Sequence, residues 1–383
     1  MKLKIKVTPQ DFIVEEVAVL PLVKKGPFAV HLLAKKGWNT IELLHELSRG
    51  SNIPYSAFAY GGRKDRHSQS IQYITIKSPR RLEIKEKDYS LKFIGFMQRP
   101  MGPDLIEENR FKVTVRKLGP GDIKRCVSEI GVVSAIGFPN YFDDQRFGSF
   151  DSRQGFFAQK VLKGQFNGAL KIYLASINPK DSREEKERKG FFFEHWKDWA
   201  ACLSRAGTIR EREAFVLLAH KLAGFLDVLK KISREELSNY YSSFQAYLWN
   251  EILRRIITWA IEGPYKTYPG LAGDYIFYTQ PDRYLEDLIL PLPGSKAKMG
   301  DKHSEEIYHQ VLADNGISQP VFNKLKLRQA FFKSLGRRVR ILPGGLAFTV
   351  LDDEIYTGKK KLFLKFSLPR GSYATMLIKR IFS

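Results

Sequence analysis

Cysteine is almost missing from this 383-residue chain: Cys126 and Cys202 stand far apart, with no CxxC spacing. That argues against a disulfide framework or a cysteine zinc site and fits a reducing cytoplasm. Histidine is scarce too, and His45-Glu46-x-x-Arg49 lacks the second histidine of a zincin, so no catalytic metal is expected. The chain has no GxxxxGK[ST] phosphate loop, no strand-following GxGxxG fingerprint and no GxSxG elbow. A nucleotide cofactor is therefore not expected, and an RNA methyltransferase loses the glycine-rich loop it would need. No apolar run reaches the roughly 18 residues of a membrane span. The greasiest stretch, 214–229, is broken by His220 and Lys221. The first residues alternate charge and lack an apolar run of signal-peptide length. A soluble cytoplasmic protein is expected, with no membrane association and with its chemistry done by side chains alone.

What the chain does have is basic charge and aromatic rings. Lys and Arg number 63 against 41 Asp and Glu, giving a net charge of +22 and a pI near 9.7. Such an excess predicts attraction to nucleic acid or to an acidic membrane surface. Residues 324–383 alone hold 14 Lys and Arg against Asp352, Asp353 and Glu354. With 43% hydrophobic and 13% aromatic residues the chain can bury a substantial core.

Periodicity divides the sequence into three stretches. Leu3, Ile5 and Val7 alternate with Lys2, Lys4 and Lys6, which predicts an opening strand with the lysines on its wet face. Strands are also predicted at 14–20, 28–33, 70–76, 93–97 and 110–117, and a helix over 41–47 with Thr40 as its N-cap. The first 150 residues thus read as α+β with a largely antiparallel, one-face-wet sheet. From 182 to 262 helical spacing dominates, with capping boxes at Thr208-x-x-Glu211 and Ser233-x-x-Glu236. Helices are predicted again at 303–315 and 320–334, strands at 338–342, 347–350 and 361–368, and a last helix at 373–381. A helical middle between strand-rich ends predicts one sheet domain interrupted by an insert.

Four segments carry groups suited to RNA chemistry. Gly61-Gly62-Arg63-Lys64-Asp65-Arg66-His67 sets one carboxylate among cations, and a nearby positive charge favours the ionised acid that a nucleophile or base requires. Lys6-Val7-Thr8-Pro9-Gln10-Asp11-Phe12 offers an ammonium for an anion and a ring for a base to stack on. In 139–148, Asn140 can donate to and accept from a uracil edge, Phe142 can stack, and Arg146 can hold a phosphate. Pro369-Arg370-Gly371-Ser372-Tyr373 adds a helix start and another ring. Each segment alone also reads as an ordinary turn or loop. A non-catalytic RNA-binding or RNA-chaperone protein is the rival reading, separated from an enzyme by the carboxylate Asp65 inside a cationic site.

In this order and at these distances the segments resemble the tRNA pseudouridine synthase D (TruD) family. The likeness runs from Lys6-x-x-Pro-x-Asp-Phe through Gly62-x-Lys64-Asp65-x-His67 and Asn140-Tyr-Phe142-x-x-Gln145-Arg146-Phe-Gly148 to Leu368-Pro-x-Gly371-Ser372-Tyr373-Ala374-Thr375. The resemblance implies an α+β pseudouridine synthase catalytic domain with a mixed, mainly antiparallel sheet, interrupted by an inserted helix-rich domain. The implied division is 1–155 and 337–383 for the catalytic domain and 156–336 for the insert. It implies isomerisation of a uridine, uridine 13 in tRNA, without cofactor or metal, by a monomer with tRNA as its partner. Asp65 matches the catalytic aspartate and Lys6 the lysine paired with it. Phe12, Asn140 and Tyr373 match positions lining the target-nucleotide pocket, and Phe142 the aromatic of the asparagine motif. The chain departs from the pattern at Asp143 for Gly, Tyr373 for Phe, and Lys379-Arg380 for Arg-Glu.

Overall fold

The alternating segments of the first 120 residues pair with those of the last 40 in a single sheet. The computed structural model describes residues 4–178 and 181–383. The chain divides into two units, Met1–Phe138 with Ile341–Phe382, and Pro139–Arg340.

In the first unit, nine strands form one sheet among the described residues: β1 Phe12–Ala18, β2 Phe28–Lys36, β3 Phe58–Tyr60, β4 Gln69–Ile76, β5 Ile84–Lys85, β6 Tyr89–Met97, β7 Ile106–Leu118, β8 Gly344–Asp352 and β9 Lys360–Pro369. Their order is β8-β9-β7-β1-β4-β2-β6-β5, with β3 on β4. Every pairing is antiparallel except β1 with β4, so the sheet is mixed and mainly antiparallel. The first half of β4 runs beside β1, from Gln69 to Ile71, and its second half beside β3, from Ile74 to Ile76. The Asp65 segment is the loop between β3 and β4 and lies where β4 passes from one neighbour to the other.

Helix α1, Thr40–Ser51, covers one face by packing Leu43, Leu44 and Leu47 on Leu33, Ile74, Ile76 and Leu91. Its N-cap is Asn39, whose side chain accepts the Glu42 N–H at 2.9 Å. Thr40, expected to cap, is the first helical residue instead. Its hydroxyl is engaged by the Lys64 N–H at 2.8 Å and donates to Gln72 at 2.9 Å. The predicted opening strand is reduced to one bridge, Lys4 with Arg116; Lys2 and Leu3 lie outside the described residues. The physical reason is Lys6, whose φ of 59° is left-handed and cannot continue a strand. The unit also contains α2, Pro120–Ile136, and α3, Ala374–Ile381. Arg380 of α3 is fully buried and ion-paired to Glu129 of α2, so the cation that departs from the family pattern has a structural partner.

The second unit is built around the helix Arg234–Ala260, which buries Leu237, Tyr241, Ile256 and, from Ser243 to Leu253, every residue but Tyr247. Thr208 and Ser233 each accept the N–H of the Glu three residues on, but only Glu211 returns the bond, to the Thr208 N–H, so one of the two expected capping boxes forms in full. The expected helix at 320–334 does not form beyond one 3-10 turn, Gln319–Asn323. One carbonyl that would accept an intrahelical bond, that of Leu327, is taken by a side chain of the long helix, and the Lys333 carbonyl in the last turn is taken by another. Tyr241 donates to Leu327 O at 3.0 Å and Gln245 to Lys333 O at 3.0 Å. The unit boundaries at 138/139 and 340/341 differ from 155/156 and 336/337 because residues 140–142 bond within the second unit, to Arg337, Val339 and Asn250. No helix among the described residues is long and apolar enough to cross a membrane.

Candidate active site

Lys6 and Asp65, 59 residues apart in sequence, meet in the first unit: the Lys6 ammonium lies 3.0 Å from Asp65 Oδ2. The same ammonium stands 4.4 Å from the centre of the Phe12 ring. The left-handed backbone of Lys6 turns its side chain toward this acid, and such a conformation costs a non-glycine residue roughly 1–3 kcal/mol. Phe12 is held in an edge contact with Phe111 at 6.1 Å, and Phe111 stacks on Phe366 at 5.3 Å. Asp11 beside it accepts the Thr8 N–H at 2.8 Å and is gripped by Arg116 at 2.7 Å. The chain on either side of Phe12 is therefore fixed.

Asp65 keeps 52% of its side-chain surface open while its main chain is tied down. Its carbonyl accepts from Lys35 Nζ at 3.1 Å and from the Ser68 hydroxyl at 3.0 Å. The Lys64 carbonyl accepts from Lys35 at 3.3 Å and from the Thr40 N–H at 3.3 Å, and Gln72 donates to Gly62 O at 3.2 Å. A rigid loop thus carries an exposed acid. Of the cations flanking Asp65 in sequence, Lys64 turns inward to Glu16 at 3.0 Å and to Asn109, and Arg66 pairs with Glu42. The cation that meets the Asp65 carboxylate is the distant Lys6. Burial pushes the Glu16 carboxyl up, against the Lys64 ammonium and the Tyr73 N–H that hold it down. Tyr373 caps α3, half-buried, with φ −109°.

The other three predicted residues belong to the second unit. Asn140 is buried, and its amide is largely committed: Oδ1 accepts from Arg337 at 2.8 Å and Nδ2 donates to Arg338 O at 2.9 Å. Arg337 also donates to the Asn140 carbonyl at 2.7 and 3.0 Å. An amide has two N–H donors and two acceptor lone pairs. These bonds leave it one of each, fewer than the freely presented edge that the sequence suggested. Phe142 is buried as well, its ring edge-on to Trp249 at 5.6 Å with the Arg337 guanidinium 4.1 Å from its centre. Its main chain is clamped by Asn250, which accepts its N–H and donates to its carbonyl, both at 2.9 Å. Phe142 is thus a packed anchor of the motif, where an open stacking platform was expected. Arg146 is exposed, its guanidinium 6.0 Å from the Phe142 ring. Asp143 is buried at φ −82°, ordinary for any L-residue, so the missing glycine costs no strain.

Sequence reasoning missed Lys35, Asn250 and Arg337. A lysine closing an apolar strand, an asparagine on a helix and an arginine in a basic tail have no local mark of these partners. The described residues contain no group of three or more His, Cys, Asp or Glu side chains that could hold a metal ion.

Comparison with known proteins bears on the whole length. A family model described as tRNA pseudouridine synthase D (TruD) matches residues 1–381. A Leptospira interrogans protein named tRNA pseudouridine synthase D is 30% identical, over 98% of this chain and 95% of its own. One of the same name from Aquifex aeolicus is 28% identical, over 100% and 98%. The fold matches a crystal structure from Methanosarcina mazei with a TM-score of 0.73 at 24% identity, over 99% of this chain and 93% of that one.

Proposed function

The chain belongs to the tRNA pseudouridine synthase D family, and from that premise we propose that it isomerises uridine 13 of tRNA to pseudouridine, with Asp65 as the reacting acid. Membership makes it an isomerase of the pseudouridine synthase class with tRNA as substrate. The assignment of Asp65 rests on one observation: the Lys6 ammonium lies 3.0 Å from an otherwise open Asp65 carboxylate and 4.4 Å from the Phe12 ring; position 13 rests on the family likeness alone.

The reaction cuts N1–C1′, turns the uracil and joins C5 to C1′. The proton lost from C5 balances the one gained at N1, so the product is an isomer. Before this the base must leave its stack, at a cost of a few kcal/mol. Stacking on an aromatic ring, worth roughly 1–3 kcal/mol per base, offsets that. In the first unit Phe12 and Tyr373 are assigned to the target nucleotide; in the second, Asn140 keeps one N–H and one lone pair, and the family likeness implies a base edge as their partner. Phe142 holds the asparagine motif in place, and Arg146 takes a phosphate. Lys6 aims the Asp65 carboxylate, which attacks C1′ or takes a proton from C2′.

The test is incubation of the purified protein with unmodified tRNA transcript and no added cofactor, followed by mapping of pseudouridine. Modification at position 13, lost in a transcript with cytidine there, is the expected result. No pseudouridine at all sinks the enzymatic reading and favours the non-catalytic RNA binder; modification elsewhere sinks only the position.

Lys6→Met is expected to lower kcat about 100-fold, the scale of a misaimed reacting group. Its melting temperature should barely move, because an ion pair this exposed is worth about 0–1 kcal/mol. Single-turnover rates and a thermal melt check both halves, and an unchanged rate removes Lys6 from the site.

A further inference from the structure

Lys35 stands at the end of β2, in register with Ser70 of β4 and Tyr89 of β6, and only 2% of it is exposed. Its ammonium donates to three main-chain carbonyls: Trp38 at 2.6 Å, Lys64 at 3.3 Å and Asp65 at 3.1 Å. An ammonium has three N–H donors and no acceptor. Here each donor has one carbonyl, and no carboxylate lies within ion-pair distance of it among the described residues.

A buried charge without a counter-ion in contact is expensive to keep. Burial pulls the Lys35 ammonium down to about 8, against the Asp65 and Glu42 carboxylates that favour its charge and with the Lys64 ammonium, which opposes it. A methionine would fill the same space without that cost. What methionine cannot do is tie the residue before the Asn39 cap of α1 to two successive carbonyls of the acid-bearing loop.

We propose that Lys35 is a positioning residue: by joining the Trp38, Lys64 and Asp65 carbonyls at one ammonium it fixes the loop so that the Asp65 side chain projects to Lys6. Lys6 thus orients the acid from the carboxylate side and Lys35 from the main-chain side. The inference rests on the assignment of Asp65 as the reacting acid. The fold should survive loss of Lys35, because the Lys64 carbonyl keeps the Thr40 N–H and the Asp65 carbonyl keeps the Ser68 hydroxyl.

The experiment is Lys35→Met, read by amide hydrogen exchange and by kinetics on tRNA transcript. Amides of residues 62–66 should exchange at least about tenfold faster, with α1 and β4 unchanged. The kcat should fall at least about tenfold, since small misplacements of a reacting group cost this much or more. The Kd for tRNA should stay within about twofold, because phosphate contacts dominate it. Lys35→Gln, which keeps two N–H donors, should recover part of the lost protection and rate. Unaltered exchange and kcat in the Met variant overturn the proposal. So does a loss in which kcat, Kd and melting temperature move together, or a failure of both variants to fold, either of which makes Lys35 a general structural residue. Should the wild-type protein make no pseudouridine, the functional reading falls, while the exchange experiment still decides whether Lys35 holds the loop.

Discussion

Asp65→Asn is expected to yield a folded protein that binds tRNA and makes no pseudouridine. Turnover should drop by a factor on the order of 10⁴ or more, the scale seen when a reacting side chain is removed from an enzyme. An amide of nearly the same shape can neither attack C1′ nor accept the C2′ proton. Folding should survive because the bonds that hold residue 65, from Lys35 and Ser68, go to its carbonyl oxygen and not to its side chain. The lost Lys6 pair is exposed and worth about 0–1 kcal/mol. Affinity should survive because phosphate neutralisation by Lys and Arg supplies most of it. Pseudouridine mapping together with a filter-binding titration checks both claims. Turnover near the wild-type rate would remove Asp65 from the chemistry.

Arg116→Met should have the largest effect on stability, a loss of about 3–5 kcal/mol, as when a buried ion pair loses one member. Arg116 is buried and holds Asp11 at 2.7 Å, Asp353 at 2.9 Å and Glu354 at 3.0 Å. Without it, Asp11 and Asp353, both nearly inaccessible, keep charges with no cation in contact among the described residues. The pH dependence has a definite sign. Burial alone would push the Asp353 carboxyl up, but the N–H groups of Lys117 and Ile355, Arg116 and the Tyr356 N–H outweigh it, leaving it below the ordinary aspartate range. A carboxyl lowered by folding stabilises above its unfolded pKa, and that stabilisation is lost as pH falls through the folded value. Wild type and variant should therefore differ most near neutrality and converge in acid. That window lies below the ordinary aspartate value, so urea unfolding at pH 7 and at pH 3 and below tests this. A difference under about 1 kcal/mol at pH 7 would mean that the cluster does not support the fold as stated.

What could be read in advance was whatever depends on neighbours in sequence. β7 alternates apolar and polar residues, and β1, β2, β4, β6 and β9 are rich in β-branched, aromatic and other apolar residues, so local composition and pattern found them. Where a distant partner decides, pattern failed. A helix is expected over 320–334, but Tyr241 and Gln245 take the Leu327 and Lys333 carbonyls from 86 and 88 positions away. Thr40 has the composition of a cap, yet its hydroxyl is claimed by Lys64 and Gln72. Helix α2 begins at Gly119-Pro120 and went unread, although proline in a first turn marks a start. The candidate site divides the same way. Asp65 and Lys6 could be joined only through likeness to a family, since 59 residues separate them. The commitment of Asn140 to Arg337, 197 positions away, leaves no local trace.

The strand order also sets a timetable for synthesis. β7 pairs with β9 along nearly its full length, from Leu118 opposite Lys360 to Glu108 opposite Pro369. All of Pro139–Arg340 is translated between them. While the ribosome makes that stretch, the nascent first unit carries β7 as a raw edge, and such an edge invites pairing with other chains. The helical unit can complete itself first, its whole sequence being contiguous. The sheet that bears Asp65 therefore gains β8 and β9 only after the whole helical unit has been translated.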